Sequence, residues 1–209
     1  MNLDLLDKLT AHPELMSVET DQHYLLTNVS WQAYEALLAD LGDDFPGLRV
    51  HYLEGTLQIT MPGRKHEVSK DNIGRLLSAY FEETRTRFYG LGSTTFRVEA
   101  QKRGAEPDVS FCVGTDKDLP DIAIAVVQTS GGVNKLEIYQ GLTVPEVWFW
   151  QKGKFVVYHL QNGEYELCDR SRFLPALDLN LLASSIQSPE PLDAVLDFRT
   201  AIRKQLQEG

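Results

Sequence analysis

One stretch of this chain carries residue types that can do chemistry together. Glu106-Pro107-Asp108 opens the apolar run EPDVSFCV, a polar turn follows, and a second apolar run, DIAIAVVQTS, leads through Gly131-Gly132 to Lys135. Carboxylates from neighbouring strands are the donors a hard divalent cation prefers, and a nearby lysine can orient or deprotonate water and stabilise charge on a phosphate. Pro107, with fixed φ and no N–H, suits the start of a strand, so Asp108 emerges there beside Glu106. A Pro-Asp pair alone is more often a turn. The second run has Ala125 where another carboxylate would complete the donor set. A cation held there by one carboxylate, carbonyls and waters is expected to bind weakly, because each anionic ligand offsets a large part of the dehydration cost.

The elements that position these groups follow from period and punctuation. Leu3, Leu5, Leu6 and Leu9 fall at near-helical spacing before His12-Pro13, predicting a short docking helix or arm. Asn28 or Ser30 caps a helix over WQAYEALLADLG that ends at Gly42. LRVHYLEG and TLQITMPG alternate and meet at Glu54-Gly55, a hairpin signal. From His66 the period turns helical, and Ile73, Leu76, Leu77, Tyr80, Phe81 and Phe88 predict the longest helix, stopped by Gly90. GSTTFRVEA reads as a strand and QKRGA as a turn. Thr129-Ser130-Gly131-Gly132 reads as a tight turn needing positive φ, since it lacks the spacing of a phosphate-cradling loop. NKLEIYQGL is a short helix, EVWFWQ, KFVVYHL and EYELC are strands parted by Lys152-Gly153 and Asn162-Gly163, and two helices close the chain. Trp148 and Trp150 alternate with Phe149 and belong to a core rather than to a base-stacking platform.

Composition narrows the function. With 209 residues and 43% hydrophobic content the chain can fill one core. The expected division is a helical arm over 1–47, a core over 48–186 and a C-terminal helix over 187–209. No apolar run approaches a membrane span and the N-terminus is acidic, so a cytoplasmic protein is expected. Cys112 and Cys168 lie in apolar runs without metal-ligand spacing and read as buried free thiols. A net charge of −10 disfavours DNA as a partner, because phosphate binding calls for a basic face. The local groups Arg64, Lys65, Lys70 and Arg75, and Arg97, Lys102 and Arg103, read as solvated faces.

Several separated motifs in order, YLEGTLQITMPGRKHE, GSTTFR, EPD, TSGGVNKLEIYQGLTVPEVWFW and KFVVYHLQNGEYE, resemble the bacterial Uma-type family of putative restriction endonucleases within the PD-(D/E)XK superfamily. The resemblance covers roughly residues 48–186. It implies an α/β (α+β) fold with a restriction-endonuclease-like mixed central sheet flanked by helices, and a site using Mg²⁺ or Mn²⁺. Asp108 matches the metal-binding aspartate, with Glu106 as a further donor. Lys135 matches the lysine displaced into the following helix, and His66 and Glu67 match the helix start that lends a polar group. Glu54 or Glu67 would act as auxiliary acid. Gln58 and Ala125 depart from the family pattern, which has glutamates there.

Two functions stand side by side: a metal-dependent endonuclease hydrolysing DNA phosphodiesters, and a catalytically degenerate nuclease fold serving binding or assembly. Asp108 and Lys135 are expected to converge on one cleft with residue 125 between them. EVWFWQ and KFVVYHL carry more large apolar side chains than water tolerates, so terminal helices or a second copy, giving a homodimer, are expected to cover them.

Overall fold

The hairpin at Glu54-Gly55 forms with both turn residues in the left-handed region, φ 45° and 93°, as a tight two-residue connection requires. A computed structural model describes residues 19–42, 45, 47–128 and 132–208. The expected arm at Leu3–Leu9 and the turn at Thr129-Ser130-Gly131 lie outside the described residues. The elements, in chain order, are β1 (Gln22–Leu26), α1 (Trp31–Leu41), β2 (Arg49–Leu53), β3 (Thr56–Met61), α2 (Arg64–Glu83), β4 (Phe88–Gly90), β5 (Phe96–Val98), β6 (Arg103–Ala105), β7 (Val109–Val113), β8 (Ile122–Val126), α3 (Lys135–Gly141), β9 (Glu146–Gln151), β10 (Lys154–Gln161), β11 (Glu164–Cys168), α4 (Leu179–Ile186) and α5 (Pro191–Glu208). Among the described residues no helix is long and apolar enough to cross a membrane.

The chain forms two units, the first from Met1–Glu67, Thr95–Glu106 and Gln128–Leu142, the second from Val68–Thr94, Pro107–Val127 and Thr143–Gly209. In the first, an antiparallel sheet runs β1-β3-β2-β6-β5. Ser30 caps α1, its hydroxyl accepting the Ala33 N–H at 3.1 Å, and the buried face Trp31, Tyr34, Leu37 and Leu41 packs on Val50, Tyr52, Leu57 and Ile59. Tyr34 stacks on Tyr52 with ring centroids 4.9 Å apart.

The second unit has the sheet order β11-β10-β9-β8-β7-β4, mixed because β8 and β9 run parallel. Its core joins Ile73, Leu76, Leu77 and Phe81 of α2 to Ile122, Ile124, Trp148 and Trp150 of the sheet and Phe198 and Ile202 of α5. The terminal helices therefore cover one face of β9 and β10, as expected of them. Arg199 and Arg203 bond Glu82 and Glu83 at the end of α2, where acidic side chains alone would oppose the helix dipole. The hydrogen bonds from Arg203 and Arg199 hold the Glu83 carboxyl down at about 2.

The α+β architecture agrees with a restriction-endonuclease-like fold, but its strands form two sheets instead of one. The long helix stops at Glu83, short of Gly90. Thr84 Oγ1 donates to the Tyr80 carbonyl at 2.8 Å, Arg85 turns left-handed at φ 53°, and Thr86 N–H returns to Phe81 O at 2.9 Å, a left-handed cap closing the helix without glycine. Phe88, freed from the helix, pairs with Val113 in β4. QKRGA is a turn only as far as Lys102, after which Arg103–Ala105 pairs with β2 and β5 as β6. The strand expected over GSTTFRVEA shrinks to Phe96–Val98, and β1 arises inside the expected helical arm. Cys112 is buried, whereas Cys168 on β11 is partly exposed; both are free thiols.

Candidate active site

Asp108 and Ala125 meet in the second unit, and the backbone explains how. Asp108 N–H donates to Ile124 O at 2.9 Å, while its Oδ2 accepts the Val126 N–H at 2.8 Å, so the residue clasps β8 on either side of Ala125. Strand alternation sends Val109, Phe111, Ile122, Ile124 and Val126 into the unit's core and leaves Asp108, Ser110, Ala123 and Ala125 on the opposite face. Asp108 is 3% and Ala125 1% exposed. A carboxylate at 125 would stand beside Asp108; the methyl group present supplies no oxygen.

Glu106, one residue before the boundary proline, is engaged in the first unit. Its Oε2 accepts the Val50 N–H at 3.0 Å and its Oε1 the Thr95 hydroxyl at 2.7 Å, which ties the β6 exit to β2 and to the start of β5. These bonds fasten the strands of the first unit. Glu54, expected as auxiliary acid, sits in the exposed hairpin turn and accepts from Arg103 at 2.9 Å. Glu67 leans toward Arg49 at 3.8 Å with its side chain 45% exposed.

The remaining family positions gather in the first unit around residues not recognised from sequence. His66 Nδ1 donates to Asp21 Oδ2 at 2.9 Å, both side chains nearly fully buried, and Asp21 Oδ1 accepts the Gly63 N–H at 3.0 Å. Asp21 thus caps the start of α2 from β1's approach, and its negative charge complements the helix N-terminus. Gly63 is required here, since a Cβ would lie 2.7 Å from the backbone of Glu19 and Thr20. Gln58 stands on β3, its Nε2 donating to Thr60 Oγ1 at 3.0 Å and reaching His23 Nδ1 at 3.4 Å, while its Oε1 accepts the Val133 N–H at 2.8 Å. The amide fastens the chain just ahead of Lys135, the first residue of α3, which Asn134 caps. Burial depresses the His23 imidazole, Asp21 opposes that, and Lys135 and His66 add to it, so these groups share one electrostatic environment.

Burial alone would raise the Asp21 carboxyl. The hydrogen bonds from His66 and Gly63, and the charges of His66 and His23, outweigh it and hold Asp21 below its ordinary value of 3.8. A depressed acid stabilises the fold above its unfolded value and loses that contribution as pH falls through its folded value. Asp21→Ala is therefore expected to cost about 3 kcal/mol at neutral pH, because His66 and Gly63 lose a buried charged partner. Urea unfolding should show the gap from wild type closing as the pH falls below the carboxylate range.

Among the described residues, the donors around residue 125 do not fit a divalent cation. Asp108 brings the only carboxylate of the β7–β8 pair beside residue 125, one of its oxygens accepts a backbone N–H, Gln58 is a neutral amide serving as a latch, and the oxygens of Glu106 hold Val50 and Thr95. Among the described residues, no group of three or more His, Cys, Asp or Glu is arranged to hold a metal ion.

Comparison with known proteins is consistent with the motif order. A family model described as "Uma2: Putative restriction endonuclease" matches residues 31–193, well beyond the 48–186 span of the quoted motifs. No curated protein matches the chain.

Proposed function

The chain belongs to the Uma2 family of putative restriction endonucleases, and from that premise we propose that it is a catalytically degenerate member, a nuclease fold used for binding or assembly. One observation carries this: Ala125 presents a methyl group beside Asp108, whose Oδ2 accepts the Val126 N–H. Gln58 points the same way, since its amide both donates and accepts in a fixed network, and a carboxylate could not donate to Thr60. The charge of −10 supports a partner other than DNA.

A second reading, metal-dependent DNA cleavage, is favoured by one specific fact, the retention of Asp108 and Lys135 at the family's positions. Asp108 would then bind Mg²⁺ or Mn²⁺ and Lys135 would steady the phosphate. Plasmid nicking with either metal separates the two. Degeneracy predicts no cleavage above a metal-free control; cleavage by the wild type that disappears in Asp108→Ala would establish the second reading.

A second copy of the chain is the assembly partner we assign. Leu167 on the edge strand β11 and Leu192 and Leu196 on α5 remain 69%, 71% and 53% exposed in the second unit, apolar surface that a second copy would cover. Sedimentation should give a dimer at micromolar concentration, and a monomer there would remove this assignment.

A further inference from the structure

Among the described residues, β11 ends the sheet of the second unit and pairs with β10 along one side. Asn162 and Gly163 make the turn between them with φ 51° and 85°, and Gln161 faces Glu164 across it. A two-residue turn of this kind is closed by a pair that exchanges both backbone hydrogen bonds, and such pairs alternate along an antiparallel ladder. Glu164, Glu166 and Cys168 therefore turn their N–H and C=O groups to β10, while Tyr165 and Leu167 turn theirs outward. The register runs unbroken from Glu164 to Cys168, and this stretch of sequence has neither lysine nor proline. Those residues and bulges are the devices that keep a strand edge from pairing. Leu167 stands 69% exposed on an edge without them.

We propose that two copies of the chain join by antiparallel pairing of β11 with β11 about a two-fold axis at Leu167, so that the sheet continues from one copy into the next. This rests on the second copy assigned above and names its contact. A two-fold axis normal to the sheet preserves its faces, and charge then chooses among the registers. An axis at Tyr165 sets Glu164 against the partner's Glu166, and an axis at Glu166 sets that residue against itself. Like charges directly opposite each other oppose pairing. An axis at Cys168 overlaps the two strands at one residue, because β11 ends there. An axis at Leu167 sets leucine against leucine, Glu166 opposite the partner's Cys168, and Glu164 opposite the partner's Arg170. Arg170 can turn to that carboxylate at little cost. It lies 3.5 Å from Asp169, with side chains 70% and 86% exposed, a pair that water already screens.

Sedimentation of the full chain over a concentration series reads the contact. Glu164→Arg and Arg170→Glu should each weaken dimerisation by about ten-fold, since either reversal turns two attractive pairs into two repulsive ones, and the double variant should recover the wild-type affinity. Both positions are exposed, and an unchanged circular dichroism spectrum certifies that the variants fold. Leu167→Cys in a Cys168→Ser background should give a disulfide-linked dimer on mild oxidation, because the pairing brings the two Cα atoms to about 5.5 Å. Tyr165→Cys in the same background is displaced along the strand and should not cross-link. A wild type that stays monomeric would overturn the second copy and this contact together. A wild-type dimer whose affinity survives both charge reversals, or that cross-links through position 165 and not 167, would overturn the contact and leave the second copy standing.

Discussion

Ala125→Glu is expected to convert the chain from indifference to Mn²⁺ into dependence on it. Residue 125 is buried in β8 beside Asp108, so the new carboxylate meets an existing one with little water to screen either. In metal-free buffer the substitution should cost about 3 kcal/mol or more, the scale of an uncompensated buried charge. One of the two carboxyls should titrate upward. An acid whose folded value is raised destabilises increasingly as pH rises through that range, so the deficit should be smaller near pH 5 than near pH 8. Saturating Mn²⁺ should recover much of the loss, since a ligand present at 100 times its dissociation constant stabilises by about 2.7 kcal/mol. Thermal melts of wild type and variant, with and without Mn²⁺, check each part. A variant that folds as well as wild type and ignores Mn²⁺ would show that residue 125 does not stand beside the aspartate as described.

Glu146→Ala should have the largest effect on stability of any single change to a polar side chain. Glu146 is fully buried at the start of β9. Its Oε1 accepts the Trp148 indole N–H at 2.6 Å, its Oε2 accepts the Arg172 N–H at 2.8 Å, and His159 Nε2 lies 3.1 Å from the same oxygen. This one carboxylate therefore joins β9, β10 and the segment that leads into the terminal helices. Truncation leaves an indole donor and a backbone donor unsatisfied in the interior and removes the carboxylate beside His159, and about 3–5 kcal/mol should be lost in denaturant unfolding. Glu146→Gln keeps an acceptor for one donor and should lose less. Equal losses for both variants would place the effect in the packing volume instead of the polar bonds.

What could be read from the chain divides by sequence distance. Ser30, Gly42, Glu54-Gly55 and Asn162-Gly163 act on neighbours, and each marks the cap or turn its residue type predicts. Asp108 and Ala125 lie on adjacent strands joined by a turn, so their neighbourhood follows from strand order. The end of α2 could not be read, because Thr84 and Arg85 close it without glycine and the apolar period continues to Phe88 by coincidence with a strand. β1 was missed since its five residues show no clean alternation, with a burial order that leaves both leucines exposed. Asp21 is separated from His66 by 45 positions, and Glu146 from Arg172 by 26, so neither buried acid announces its partners locally. Glu106 and Glu54 show the same distance effect. Each is an acid near the motifs, and only the fold shows that Val50, Thr95 and Arg103 claim them.

Degeneracy of the metal centre is tested most directly by titrating Mn²⁺ into the wild-type chain and following the free ion by electron paramagnetic resonance, with Asp108→Ala and Ala125→Glu alongside. Wild type and Asp108→Ala should give the same weak, non-stoichiometric uptake, while Ala125→Glu acquires a single site. Stoichiometric binding by the wild type that Asp108→Ala abolishes would contradict the account, because it would mean that the chain completes the ion's coordination without a carboxylate at position 125.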